Sequence, residues 1–155
     1  MTAATCQAIT ALFGRIFLSA IFLLSAFGKI MDWSGTTQHM AEKGMVATSF
    51  FLTVALILEV FGGLSVLFGF FTRWGAAALI VFLVCVTPVF HNFWAEEGMA
   101  RMNQMQHFMK NAAMMGGLLM VAALGPGRFS LDHWRRAVSA ERPVWERRGQ
   151  SVPVG

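Results

Sequence analysis

Residues 50–69 read FFLTVALILEVFGGLSVLFG, an apolar run with one ionisable group, Glu59, nine residues from its start and ten from its end. A carboxyl group in such a setting has two uses. It can fix helix register as half of a buried ion pair, or it can handle protons for a bound ligand, and ionisable groups inside apolar spans are functional as a rule. The other residues able to take part are Lys29, His91, Asn92, His107, Lys110 and Asn111, all within or beside apolar stretches. Arg15, Lys29 and Lys110 supply three embedded cations against the single acid. If Glu59 pairs with Lys29 or Lys110, one cation is left for water, a lipid phosphate, or a ligand that is anionic or rich in acceptors.

The elements that must hold these groups are set by composition. The chain has 155 residues, 56% of them hydrophobic and only 13% charged, against about 45–50% and about 25% in soluble proteins. It is read as one integral membrane domain over 1–128, followed by a basic tail over 129–155. Crossing hydrocarbon takes about 20 apolar residues, and four spans fit, at about 8–30, 48–70, 74–94 and 105–124. Backbone groups in lipid must be satisfied within each span, and strand-like alternation is absent, so the fold class is an all-α four-helix bundle. Pro88 is expected to kink the third span. Residues 1–7 lack Lys and Arg and the apolar run after them is too long for a signal peptide, so the first span is expected to be retained.

Orientation follows the basic residues. Arg73 and the tail arginines 128, 135, 136, 142, 147 and 148 mark the cytoplasmic side, which puts both termini inside. The net charge of +4 resides largely in that tail and points to anionic lipid headgroups, not nucleic acid. Ser130 can cap an interfacial helix over 130–142, with Leu131, Trp134 and Val138 on one face and Pro143 ending it. In this orientation Lys29, His91, Asn92, His107, Lys110 and Asn111 lie towards the outside, and Glu59 near the midplane. Arg15, Ser19, Phe22, Ala26 and Lys29 form one stripe on the first helix; His107, Lys110, Asn111 and Met114 form another on the fourth. Both stripes are expected to face a shared polar pocket opening outward. Gly62, Gly63, Gly116 and Gly117 are read as close-packing positions.

Three further features have plainer readings. Cys6 and Cys85 are too far apart in depth for a disulfide and form no C-x-x-C, so Cys85 is expected as a small core residue. Met99, Met102, Met105 and Met109, with His107 and His91, make a Cu(I) site conceivable, yet the same spacing describes one face of a helix. GPGRFSLD (125–132) reads as a helix stop and turn, with Asp132 placed to pair with Arg73 or Arg15.

FLSAIFLLSAFG followed by KI, LEVFGGLSVLFGFFTRWGAAAL, FHNFW, HFMKNAAMMGGLL and GPGRFSLD together resemble the successive signature segments of the DoxX family of small four-helix membrane proteins, over about residues 12–132. The resemblance implies a four-span bundle in a bacterial-type inner membrane and puts Lys29, Glu59, His91, Lys110 and Asn111 on the family's usual polar positions. It also implies kinship with the small subunit of an archaeal thiosulfate:quinone oxidoreductase and with members tied to thiol or oxidative stress. The expected function is therefore quinone-linked or redox-associated. Quinone is the expected cofactor, with no covalent one. Glu59, Lys110 and His91 are the candidates for proton handling; Lys29, Asn111, Asn92 and Trp94 are those for holding the headgroup, and Phe22 and Phe61 for walling it. The alternative is a non-catalytic subunit or scaffold that meets partner subunits in a larger membrane complex.

Overall fold

The computed structural model describes residues 2–141. Six α-helices run in the order α1 (Ala3–Met31), α2 (Trp33–Glu42), α3 (Thr48–Phe68), α4 (Thr72–Phe90), α5 (Gly98–Leu124) and α6 (Leu131–Glu141), with a 3-10 turn at Phe93–Ala95. Four of these segments, beginning at Ala3, Thr48, Thr72 and Gly98, are long and apolar enough to cross a membrane. Against the expected bounds, α1 begins about five residues early and α5 about seven. α4 starts two residues sooner, at Thr72, and closes at Phe90. It continues past Pro88, and the chain then breaks at His91 into the 3-10 turn.

The short helix α2 lies in a connection for which no element was expected. Its start is encoded by Asp32, whose carboxylate accepts the Gly35 N–H at 3.0 Å, a side-chain cap of the orphan donors. α2 packs on α3 and α1, and Met40 is buried.

The spans pack in sequence, α1 on α3, α3 on α4 and α4 on α5, with a thinner α1–α5 seam. A core of Phe22, Val66, Ala76, Leu79, Leu83 and Leu118 fills the half of the bundle nearer the end of α3 and the start of α4. Glycines set the α3–α4 approach there. A Cβ at Gly62 would stand 2.7 Å from Leu79 Cγ, and one at Gly75 would meet the Ser65 side chain. Gly63 and Gly117 serve likewise against Leu23 and Leu18, whereas Gly116 faces open space.

The end carrying the start of α1 and the head of α6 is tied by an unexpected bolt. Asp132 forms no ion pair with Arg73 or Arg15; its carboxylate accepts from Phe71 N and Thr72 N at 3.0 Å each and from Thr72 Oγ1 at 2.8 Å, while its own N–H donates to Gly69 O at 2.8 Å. These are the orphan donors of the α4 N-terminus, where a negative charge also meets the helix dipole. Phe71 sits at φ 48°, sparsely populated for an aromatic residue, and Asp132 holds it there. Gly69, at φ 67°, supplies the left-handed turn and leaves room for the Arg15 guanidinium and Ser130. Arg15 is buried and donates to Phe129 O; Arg73 donates to Ala123 O at 3.3 Å. Burial alone would raise the Asp132 carboxyl, but the Thr72 and Phe71 donors and nearby Arg136 outweigh it and hold the group below the usual carboxylate range.

Ser130 Oγ accepts from His133 N at 3.2 Å at the head of α6, and Leu131, Trp134 and Val138 are exposed. The expected stop at Pro143 and the arginines 142, 147 and 148 lie outside the described residues.

Candidate functional site

Glu59 is 1% exposed, and Lys29, from the last turn of α1, reaches it with Nζ 2.7 Å from Oε1 and 2.6 Å from Oε2. The same ammonium donates to Ser25 Oγ at 2.9 Å, so all three of its donors are used. Two positions of the α1 stripe thus shape the pair. Lys29 snorkels inward, and Phe22, two turns earlier, is buried in the core. The ammonium also lies 5.4 Å from the centroid of the Phe82 ring of α4.

The pair borders a cavity of about 760 Å³ to which α1, α2, α3, α4 and α5 all contribute, within the range of about 300–1,000 Å³ that suits a drug-sized ligand. Lys29, Glu59, His91, Lys110 and Asn111 all line it. Most of the wall is nevertheless apolar, built from residues such as Leu52, Leu58, Phe82, Val86 and Met114. The space is therefore an apolar chamber with a few convergent polar groups, not the hydrophilic one the stripes suggest.

Each polar group is held differently. Asn111 is buried and donates to Thr87 Oγ1 at 3.0 Å, bracing α5 on α4. His91 Nδ1 lies 2.9 Å from Gln104 Oε1, and its ring stacks on His107 with centroids 5.1 Å apart. Lys110 has no hydrogen bond or ion pair among the described residues. With Glu59 committed to Lys29, it is the surplus cation expected from the charge count.

Several expected participants lie elsewhere. Asn92 and Trp94 do not line the cavity, because α4 ends at Phe90 and the 3-10 turn carries them off; Trp94 packs on Phe108 instead. Phe61 is exposed on the far side of α3. His107 reaches the site only through His91. Cys85 is exposed on the cavity wall, not a core residue, and both cysteines are unpaired. Met99, Met102, Met105 and Met109 are exposed along α5. No cluster of three His, Cys, Asp or Glu residues able to hold a metal occurs among the described residues.

Sequence reasoning missed the α2 contribution. Thr36, His39 and Met40 line the cavity, and the His39 ring sits 5.8 Å from that of Phe90. The one available signal was Asp32 ahead of Ser34-Gly35, an N-cap pattern. Ser25, four residues before Lys29 and so on the same face, was equally legible.

Comparison with known proteins gives consistent results. The family model described as DoxX matches residues 10–92, a stretch holding Lys29, Glu59 and His91 but ending before Lys110 and Asn111. The chain is 37% identical over 121 residues to inner membrane protein YqjF of Escherichia coli (strain K12), covering 78% of this chain and 88% of that protein. It is 34% identical over 121 residues to inner membrane protein YphA of the same organism, covering 78% and 86%. A Surfeit locus protein 4 homolog of Schizosaccharomyces pombe is 27% identical over 127 residues, which span 36% of that longer protein. No solved structure matches.

Proposed function

We propose, from the premise that this chain belongs to the DoxX family of membrane proteins, that it is a quinone-binding protein of the inner membrane. The observation that carries this reading is the arrangement of Lys29, Glu59 and unpartnered Lys110 around an apolar cavity of about 760 Å³. A quinone headgroup needs a flat apolar slot with donors for its carbonyl oxygens and a group that exchanges protons with it. Phe82 and Met114 offer walls, Lys110 an uncommitted ammonium donor, and Glu59 oxygens with lone pairs beyond those given to Lys29. The Gln104 contact at Nδ1 leaves the other ring nitrogen of His91 available at the cavity wall. A bound quinone supplies reversible two-electron, two-proton chemistry; the chain's part is to orient the headgroup and to hold or pass a proton at Glu59.

The end carrying Arg73, Arg128, Arg135 and Arg136 is assigned to the cytoplasmic side by its basic residues, which puts the Lys29 end of the bundle outside. The test is titration of the purified chain with a short-tailed quinone. Lys110→Met removes a charged donor worth about 1.5–3 kcal/mol, or about 10–150-fold in Kd. Binding by Lys110→Met equal to the unaltered chain would remove Lys110, and an unaltered chain that binds no quinone would remove the reading.

A second reading is favoured by one feature of α5. Met102, Met109, Leu119 and Met120 are all exposed on it, and Gly116 has nothing within 4 Å. An accessory subunit docked through α5 onto a larger membrane assembly would cover this surface. Isolation of the native complex in mild detergent, with crosslinks mapped to α5, tests it.

A further inference from the structure

The cavity is not evenly walled. In the half of the bundle nearer the α3–α4 turn, α3 and α4 touch through glycine, with Gly62 O placed 3.2 Å from where a Gly75 Cβ would stand. In the other half, Val54 and Leu58 of α3 and Val81, Cys85 and Val89 of α4 line the cavity between the two helices. Val54 is 38% exposed, Val81 58%, and Cys85 and Val89 are exposed too. These residues border both the cavity and the outer surface, and all are apolar or weakly polar. α2 lies over the end of this opening: Met40 is buried, His39 sits against Phe90, and Lys43 reaches Glu96 across the connections at 4.0 Å. The polar lining groups Ser25 and Lys29 belong to α1 and Lys110 to α5, and Ser25 and Lys110 are themselves exposed.

From this asymmetry we propose that the ligand enters sideways from the bilayer through a window between α3 and α4, headgroup first, and leaves its tail in the lipid. The inference rests on the quinone reading for the headgroup, but the route is set by the window. An approach beside exposed Ser25 and Lys110 would pass polar groups, whereas the window exposes only surface that hydrocarbon already wets. About 760 Å³ holds a drug-sized body and not a long isoprenoid chain as well, so a tailed ligand must project through an opening. The one with apolar edges is α3–α4. Val54 and Val81 are then the gate, and Lys29, Glu59 and Lys110 are the groups that stop the headgroup.

The experiment uses the full chain in nanodiscs with two photoprobes: a quinone carrying a diazirine in its tail, and a fatty alcohol carrying the same diazirine. Crosslinked peptides are mapped by mass spectrometry for the unaltered chain, Val54→Trp, Val81→Trp and the control Val84→Trp, which is exposed on α4 but does not line the cavity. The expected result is quinone labelling across 51–58 and 81–89, reduced at least tenfold in Val54→Trp and Val81→Trp and unchanged in Val84→Trp. Labelling of these stretches by the alcohol alone would uphold the window and defeat the quinone reading. Quinone binding that persists with labelling confined to α1, α2 or α5, or equal labelling in all three tryptophan variants, would overturn the lateral route. Labelling of the window by neither probe would overturn it as well.

Discussion

Replacing Lys29 by Met tests the Glu59 pair most directly. Lys29 is the cation paired with a carboxylate that is 1% exposed, and stranding such a charge costs about 3–5 kcal/mol. The escape open to Glu59 is to take a proton, which at pH 7 costs about 4 kcal/mol from an ordinary glutamate, so the two routes give the same magnitude. The second route adds a pH signature: the penalty should shrink by about 1.4 kcal/mol for each unit the pH is lowered towards 5. Glu59→Gln should be milder, about 1–3 kcal/mol, because Lys29 keeps Ser25 and can turn its ammonium into the cavity. The double variant Lys29→Met/Glu59→Leu removes both charges and should return to within about 1 kcal/mol of the original stability, while losing quinone binding. The assay is reversible unfolding in mixed micelles titrated with SDS, followed by far-UV circular dichroism at pH 5, 6, 7 and 8. A Lys29→Met penalty below about 1 kcal/mol and flat with pH would mean that the carboxylate is not sequestered as described.

Asp132→Asn should cost about 0.5–2 kcal/mol by weakening the α4 cap. Because the folded-state pKa of Asp132 is lowered, its contribution is present above the unfolded carboxylate value and lost as pH falls through the folded one, so the variant should show a flatter acid limb in the same unfolding assay. Gly69→Ala should destabilise by about 1 kcal/mol or more, since φ is 67° and the added methyl meets Arg15 and Ser130; hydrogen exchange at Phe70 to Trp74 is the local readout. Gly62→Ala should cost about 1–3 kcal/mol through overpacking on Leu79, read as a lower thermal midpoint in detergent. Arg135→Gln/Arg136→Gln should reduce retention of anionic phospholipid by about 1 kcal/mol per charge, measured by lipid analysis of protein extracted in mild detergent; equal retention would remove α6 from lipid recognition.

The spans and the α1 stripe were legible because lipid enforces a simple rule: Arg15, Ser19, Phe22 and Ala26 recur at helical spacing and are all buried in α1, whereas of the α5 stripe Asn111 is buried and His107 and Lys110 are exposed. The pairing of Glu59 with a cation was also legible, since nothing else near it offers compensation. Which lysine would take it was not, because that depends on the relative rotation of α1 and α5. Asn92 and Trp94 were misplaced because the end of α4 is decided by local geometry at His91, so that the helix closes at Phe90 and not near 94, where hydropathy alone would stop it. Asp132 was misread for a related reason. Charge suggested an arginine partner, but the unsatisfied N–H groups of a helix start at Thr72 lie closer, and sequence does not show that a segment sixty residues later will lie against them.

That separation bears on biosynthesis. A chain made from its N-terminus inserts α3 and α4 well before residue 132 leaves the ribosome, so the tight turn at Gly69 to Phe71 must first form with water on its donors. Its final tightening waits for α5 to cross and α6 to fold back. Residues 129–132 are therefore the clasp of the finished bundle, and a truncation placed ahead of them should yield protein that reaches the membrane but stays loose at one end.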